Sequence, residues 1–111
     1  MITRHWRGRT ARGDADAYQE FLRSTLLPQL DGIPGYHGAD VLRRDAGADV
    51  EFVLLTRFES LDDVRAFAGE DHERAVILPE AEALLKEAEP TAAHYDTVVQ
   101  ARPAHDQGGA P

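Results

Sequence analysis

The sequence has no cysteine. That removes a disulfide framework, a thiolate nucleophile and any zinc site built on sulfur. Serine is nearly as scarce: Ser24 and Ser60 are the two present, and neither lies in the G-x-S-x-G elbow of a hydrolase. Gly32, Gly35 and Gly38 recur at intervals of three, but they do not open a helix after a strand. A Walker loop and a dinucleotide fingerprint are therefore both excluded, and these glycines read as turn and strand residues. His72-Glu73 begins like H-E-x-x-H, yet Val76 stands where the second histidine is required, so no metal is expected. No apolar run approaches the roughly 18 residues of a membrane helix. Residues 1–7 lack the apolar centre of a secretory signal. A cytoplasmic location without a membrane partner is the expectation.

What is present describes an ordinary globular domain. The chain has 111 residues, 42% hydrophobic and 29% charged, enough for one modest core and not two. A net charge of −8 repels phosphate and argues against a nucleic-acid partner. The charge is unevenly spread: Arg4, Arg7, Arg9 and Arg12 all precede the first acid, Asp14. Such a cluster reads first as a solvated strand paired with carboxylates elsewhere, and second as a local positive field for an anionic ligand.

The chain is organised around the stretch from Asp49 to Leu85. Phe52-Val53-Leu54-Leu55, closed by Phe58, is a strand. Ser60 with an acid three residues on is a capping-box start, and Leu61, Val64, Phe67 and Ala68 share one helical face that Gly69 ends. A second helix is expected from an Asp71 cap, with Val76, Leu78, Ala81, Leu84 and Leu85 inward, restarting at Pro79 and closed by Pro90. Before this unit, residues 2–11 read as a strand. Asp14 is a candidate cap for a helix carrying Tyr18, Phe21, Leu22, Thr25 and Leu26, with Pro28 tightening its last turn. Residues 36–44 form a strand joined to the central one as a hairpin, and residues 92–99 form the last strand. The order β-α-β-β-α-β is that of an α+β, ferredoxin-like fold with a four-stranded antiparallel sheet. The domain spans residues 1–100, and residues 101–111 form a polar Gly/Pro tail expected to be disordered.

The central strand does not alternate as a half-wet strand should. Phe52, Leu54 and Phe58 point one way, Val53 and Leu55 the other, and the chain's own helices can cover one side. A homodimer packed sheet to sheet is the economical answer. Among chemical candidates, His72 lies beyond a helix end where an imidazole can titrate near neutral pH. His5, His37 and His94 lie on three strands and converge if their faces agree. Trp6, Tyr36, Phe67 and Tyr95 can wall a flat pocket for an aromatic ligand or serve as core and interface packing. Arg57 is a polar intruder in the central strand that requires a salt bridge or an anion.

The segments ITRHWRGRT, EFVLLTRFES, FESLDDVRAFAGEDHERAVILPEAEALL and EPTAAHYDTV together resemble the antibiotic biosynthesis monooxygenase (ABM) family of dimeric α+β barrel proteins. The resemblance runs from residue 1 to about 100. It implies homodimers paired through sheet faces, and an activity that differs between branches. The haem-degrading branch uses an Asn on the first strand, a Trp on the helix after strand three and a His further along. Here Phe67 and Ile77 take the last two places and the first strand has no Asn, so haem is not expected. The quinone-forming branch works without flavin or metal, because a deprotonated phenolic or anthrone-like substrate itself donates an electron to dioxygen. By that resemblance the chain is expected to be a cofactor-independent monooxygenase on a small aromatic substrate. His72 or His37 would be the base, Trp6, Phe67 and Tyr95 the walls, and Arg57 the oxyanion partner. An isomerase or cyclase on the same scaffold, or a non-catalytic dimer binding a small apolar molecule, are the alternatives.

Overall fold

The computed structural model describes residues 1–104. Strand β1 (Ile2–Ala11) leads through a short 3-10 turn into helix α1 (Ala15–Phe21). That helix passes through a π-turn (Leu22–Leu26) into α2 (Leu27–Leu30). Pro28 accounts for the widened turn. It has no N–H for the carbonyl four residues back and its ring crowds that carbonyl, so the backbone opens upstream and Leu27 N–H bonds Leu22 O instead. Asp14 makes no side-chain capping bond.

Strands β2 (Tyr36–Ala46) and β3 (Asp49–Phe58) form the expected hairpin around Gly47-Ala48. Gly47 takes φ +70° at the first central position and no non-glycine residue among the described residues has positive φ, which is the pattern of a type II′ turn. Helix α3 (Leu61–Ala68) begins as expected: Ser60 Oγ accepts from Asp63 N–H, and Gly69 at φ 93° ends it.

The second long helix does not form. Residues 69–78 are irregular, α4 (Pro79–Glu82) is a single turn, and Leu85 starts a strand, β4 (Leu85–Ala88), followed by β5 (Ala93–Asp96). The cause lies in competing partners for the backbone. Ala75 N–H bonds Pro90 O, Ala92 N–H bonds Glu73 O, and Arg74 bridges Thr91. Pro79 cannot extend a helix backwards and takes the first-turn position instead. The last strand, expected over residues 92–99, is the shorter β5, which pairs with Ile2–His5, and β4, within the expected helix, pairs with Gly8–Thr10 on the same edge.

The sheet is antiparallel in the order β2-β3-β1, with β4 and β5 sharing the far edge, so the fold is the α+β ferredoxin-like arrangement. Trp6, Phe52, Leu54 and Phe58 face the helices, with Tyr18 set edge-on to Phe52 at 4.9 Å. The opposite face carries Val53 and Leu55, half-buried, and Leu42 and Tyr95, exposed at 49% and 58%. No helix among the described residues is long and apolar enough to cross a membrane. Residues 101–104 carry no regular structure and are exposed; the rest of the tail expected to be disordered lies outside the described residues.

Phe52 is fully buried, so Phe52→Ala should cost about 3–5 kcal/mol of unfolding free energy. Loss of the α3 cap in Ser60→Ala should cost only about 1 kcal/mol, and urea melts of the two variants check the contrast.

Candidate functional site

Alternation along β1 turns Arg4, Trp6, Gly8 and Thr10 toward the helices. Opposite them on β3 stand Thr56 and Leu54, in register with Arg4 and Trp6. Tyr18 and Leu22 roof this strip from the α1 helix and its π-turn, Phe67 comes from α3, and Val76, Ile77 and Leu78 close the side. They line a narrow, largely apolar cleft with a cavity volume of about 30 Å³. Trp6 is fixed at both ends: its indole N–H donates to Glu89 O at 2.7 Å, and its ring lies so close over Gly8 that a Cβ there would meet it at 2.5 Å. Gly8 is therefore glycine for space.

Arg4 is the polar centre of the cleft, only 3% exposed. Its Nη1 donates to His72 O and to His94 Nε2 at 2.9 Å, and its Nη2 to Arg74 O at 2.8 Å. The guanidinium lies 5.6 Å from the centre of the Phe67 ring, within cation–π range. Burial lowers its pKa to about 10, so it stays charged at neutral pH. Arg7, Arg9 and Arg12 meet Glu89, Glu51 and Asp45. Among the described residues Arg4 meets no carboxylate. A desolvated charge with dipoles around it and no counter-ion is costly to keep.

An arginine cannot accept a hydrogen bond, so His94 Nε2 must present its lone pair to Arg4. Burial first, then the charge of Arg4 and then His72, holds His94 down at about 4. The His72 ring meets His94 edge-on at 5.1 Å.

Of the residues singled out from sequence, Trp6 and Phe67 line the cleft. His72 lies just behind it, contributing its carbonyl to Arg4. His37 is outside: it is exposed and hydrogen-bonded through Nε2 to Glu59. Tyr36 packs on Phe58 in the second part of the core, ring centres 5.9 Å apart. Tyr95 and Arg57 belong to the open sheet face, Arg57 donating to Asp40 Oδ2 at 2.9 Å within its own chain. His5 and His94 sit on opposite faces, because His94 is paired with Arg4 in the register. The residues missed are Arg4 and its partnership with His94. The signal was available in ITRHWRGRT, where Arg4 has the same parity as Trp6.

A sequence model of the family described as antibiotic biosynthesis monooxygenase matches residues 1–77. No curated protein matches the chain. Several solved structures share the fold. One is a Bacillus cereus protein named for antibiotic biosynthesis monooxygenases, 16% identical over 91% of this chain and 97% of its own, with a TM-score of 0.64. Another is a Streptomyces coelicolor monooxygenase from the gene ActVA-Orf6, solved with nanaomycin D: 15% identical, 93% and 92% covered, TM-score 0.64. The haem degrader MhuD of Mycobacterium tuberculosis, solved with two haems in its active site, is 17% identical, 92% and 100% covered, with a TM-score of 0.59.

The residues of this cleft do not suit a haem. Phe67 and Ile77 both line it, and no lining side chain supplies an imidazole, thiolate or thioether for an axial bond. Tyr18 is the phenol there, and burial raises its pKa well above the ordinary range, which disfavours the tyrosinate.

His94 also gives the site a testable pH signature. Its pKa is about 4 folded against 6.5 for an ordinary histidine, so the unfolded chain takes up the proton first. The contribution is complete above pH 6.5 and is lost as pH falls from 6.5 toward 4. In His94→Gln the amide can still accept from Arg4 but does not titrate. Its melting temperature should therefore fall less than that of the wild type across this window, measured by calorimetry at a series of pH values.

Proposed function

The chain belongs to the antibiotic biosynthesis monooxygenase family, and from that premise we propose that it is a cofactor-independent monooxygenase on a small, flat phenolic or anthrone-like arene. The observation that carries this reading is the cleft itself, an apolar slot with Trp6 and Phe67 among its walls, roofed by the first helix. Once its walls part to admit a planar ring, a slot of that kind excludes water from a reactive intermediate.

The chemistry needs little from the protein. Deprotonation makes an anthrone-type substrate an electron-rich anion. It passes one electron to dioxygen, and the resulting radical pair joins into a peroxide. Loss of water then leaves the quinone carbonyl. One oxygen atom ends in the product, and the other leaves as water with the two hydrogens of the ring methylene. No external reductant is consumed. His72, whose carbonyl bonds the cleft residue Arg4, is the proposed base. His37 has no part in it, because its imidazole is engaged by Glu59 outside the cleft.

A second copy of the chain is the proposed cover for the open sheet face. Leu42, Val53 and Leu55 give that face an apolar centre. Around it lie the Arg9–Glu51–Arg44 cluster and the Arg57–Asp40 pair. An apolar patch with a charged rim is the anatomy of a protein–protein interface. Val53 and Leu55 would otherwise be left facing water in a chain with no further segment to cover them among the described residues.

Dioxygen consumption with anthrone, against an enzyme-free control, tests the reaction. Uptake should match quinone formed one to one, and His72→Ala should lower turnover about 100-fold or more if it is the general base. Turnover that persists without oxygen would identify an isomerase or cyclase, and binding without turnover a small-molecule-binding dimer. For the assembly, sedimentation should give twice the mass of the 12.2 kDa chain. Val53→Glu combined with Leu55→Glu should give single chains; a wild-type monomer would reject the interface.

A further inference from the structure

We infer that Arg4 is an anion seat, and that the ligand of the cleft binds as an arene bearing an ionised oxygen, a phenolate or a carboxylate, held by the Arg4 guanidinium. The inference rests on the cleft being the ligand site of the proposed function, and it goes further by naming the charge state that the site selects.

A guanidinium has five N–H donors. Arg4 uses both hydrogens of Nη1, on His72 O and His94 Nε2, and one of Nη2, on Arg74 O. The Nε–H and the second Nη2 hydrogen have no partner among the described residues. Nε is not sealed away, because no buried side-chain nitrogen or oxygen among the described residues lacks a partner. Arg4 itself lines the cleft, so a ligand there lies beside this guanidinium. The side chain is otherwise almost wholly removed from water, its three acceptors are neutral, and no carboxylate approaches it. An incoming oxyanion would supply the missing counter-charge and take up the two donors together. Trp6 and Phe67 would meanwhile hold the ring to which that oxygen is attached.

The rest of the molecule works against this locally and loses. A net charge of −8 repels anions at long range, but physiological salt screens it over about 8 Å, whereas a contact with a desolvated cation is screened much less. Selectivity for the anion is therefore a property of Arg4 and not of the surface.

The two possible effects of the cleft on a bound phenol have opposite signs. An apolar slot without a usable cation raises the phenol's pKa, and one with a cation in contact lowers it. The probe is 4-nitrophenol, whose ionised form absorbs in the visible, titrated with wild-type protein at pH values from 5 to 9. In that range neither His94, at about 4, nor Arg4, at about 10, changes its protonation state. The phenolate should bind roughly tenfold tighter than the phenol or more, seen as a fall of about one unit in the probe's apparent pKa. Calorimetry with 2-naphthoate against the neutral 2-naphthalenemethanol supplies the carboxylate arm, with the same preference for the anion.

Arg4→Met should abolish both preferences while leaving the neutral probe bound. The indole N–H signal of Trp6, the chain's single tryptophan, reports whether that variant keeps its fold. The wild-type sign of the shift decides the matter even if the variant does not fold. Binding with an unchanged or raised probe pKa, and no preference for 2-naphthoate, would overturn the anion seat and leave the aromatic cleft standing. Failure of every probe to bind would overturn both. A lowered probe pKa without any oxygen uptake from an anthrone would leave the seat and remove the monooxygenase.

Discussion

A buried guanidinium with no carboxylate beside it joins three parts of this molecule. Arg4 belongs to the central strand β1, yet its hydrogen bonds run to the carbonyls of His72 and Arg74 and to the imidazole of His94. The irregular segment after α3 is thereby held against the sheet, and the edge strand β5 is set in register beside it. Phe67 approaches the same guanidinium from above. Had a glutamate stood where those carbonyls are, the charge would be neutralised and the cleft would have no polar end. The structure instead keeps the cation desolvated among neutral acceptors, an arrangement whose cost an anionic ligand offsets.

The same segment explains where the sequence was readable and where it was not. Strand β3 was legible because its apolar run is nearly continuous and its hairpin partner β2 is next in the chain. The Ser60 cap and the Gly69 stop were legible because each is a local interaction. The segment after Gly69 misled for the opposite reason. Asp71 looks like a cap and Val76, Leu78 and Ala81 can be placed on one helical face, so a helix was the natural reading. Its backbone is claimed by residues far away in sequence, Pro90, Thr91 and Arg4, and no local signal announces them. Pro90 misled as the end of that helix, because the residues before it, Leu85–Ala88, form a second short strand on the outer edge. The asymmetry is one of range: local chemistry declares itself, and long-range pairing does not.

Site residues divide along the same line. Trp6 and Phe67 stood out as aromatics and do line the cleft. Tyr36, Tyr95, Arg57 and His37 were equally conspicuous by type, but the structure sets them in the second core cluster, on the open face or at the surface. Residue type alone could not sort them. Parity could have sorted the strand residues: Arg4, Trp6 and Gly8 share a face, while Arg7 and Arg9 take the other. The arginine cluster that looked uniform is thus two populations. Arg7, Arg9 and Arg12 are ordinary partners of carboxylates, and Arg4 is the exception concealed among them.

Back to back on two strands, the sheet holds two separate tasks. On β1 and β3 the residues facing the helices line the cleft, while their immediate neighbours, His5, Arg7, Val53 and Leu55, face outward. A one-residue slip would exchange the two sets entirely, so the register that places Arg4 beside Thr56 and Trp6 beside Leu54 also fixes which surface is left open. The extensive β1–β3 pairing, continuous from Ile2↔Phe58 to Ala11↔Asp49, is what prevents such a slip. Its consequence is that a partner subunit on the outer face would stiffen the very strands that carry Arg4 and Trp6, without touching either. Assembly and ligand binding would then be coupled through a shared backbone. The coupling would act on the entropy of holding the cleft open and aligned, not on any contact the ligand makes.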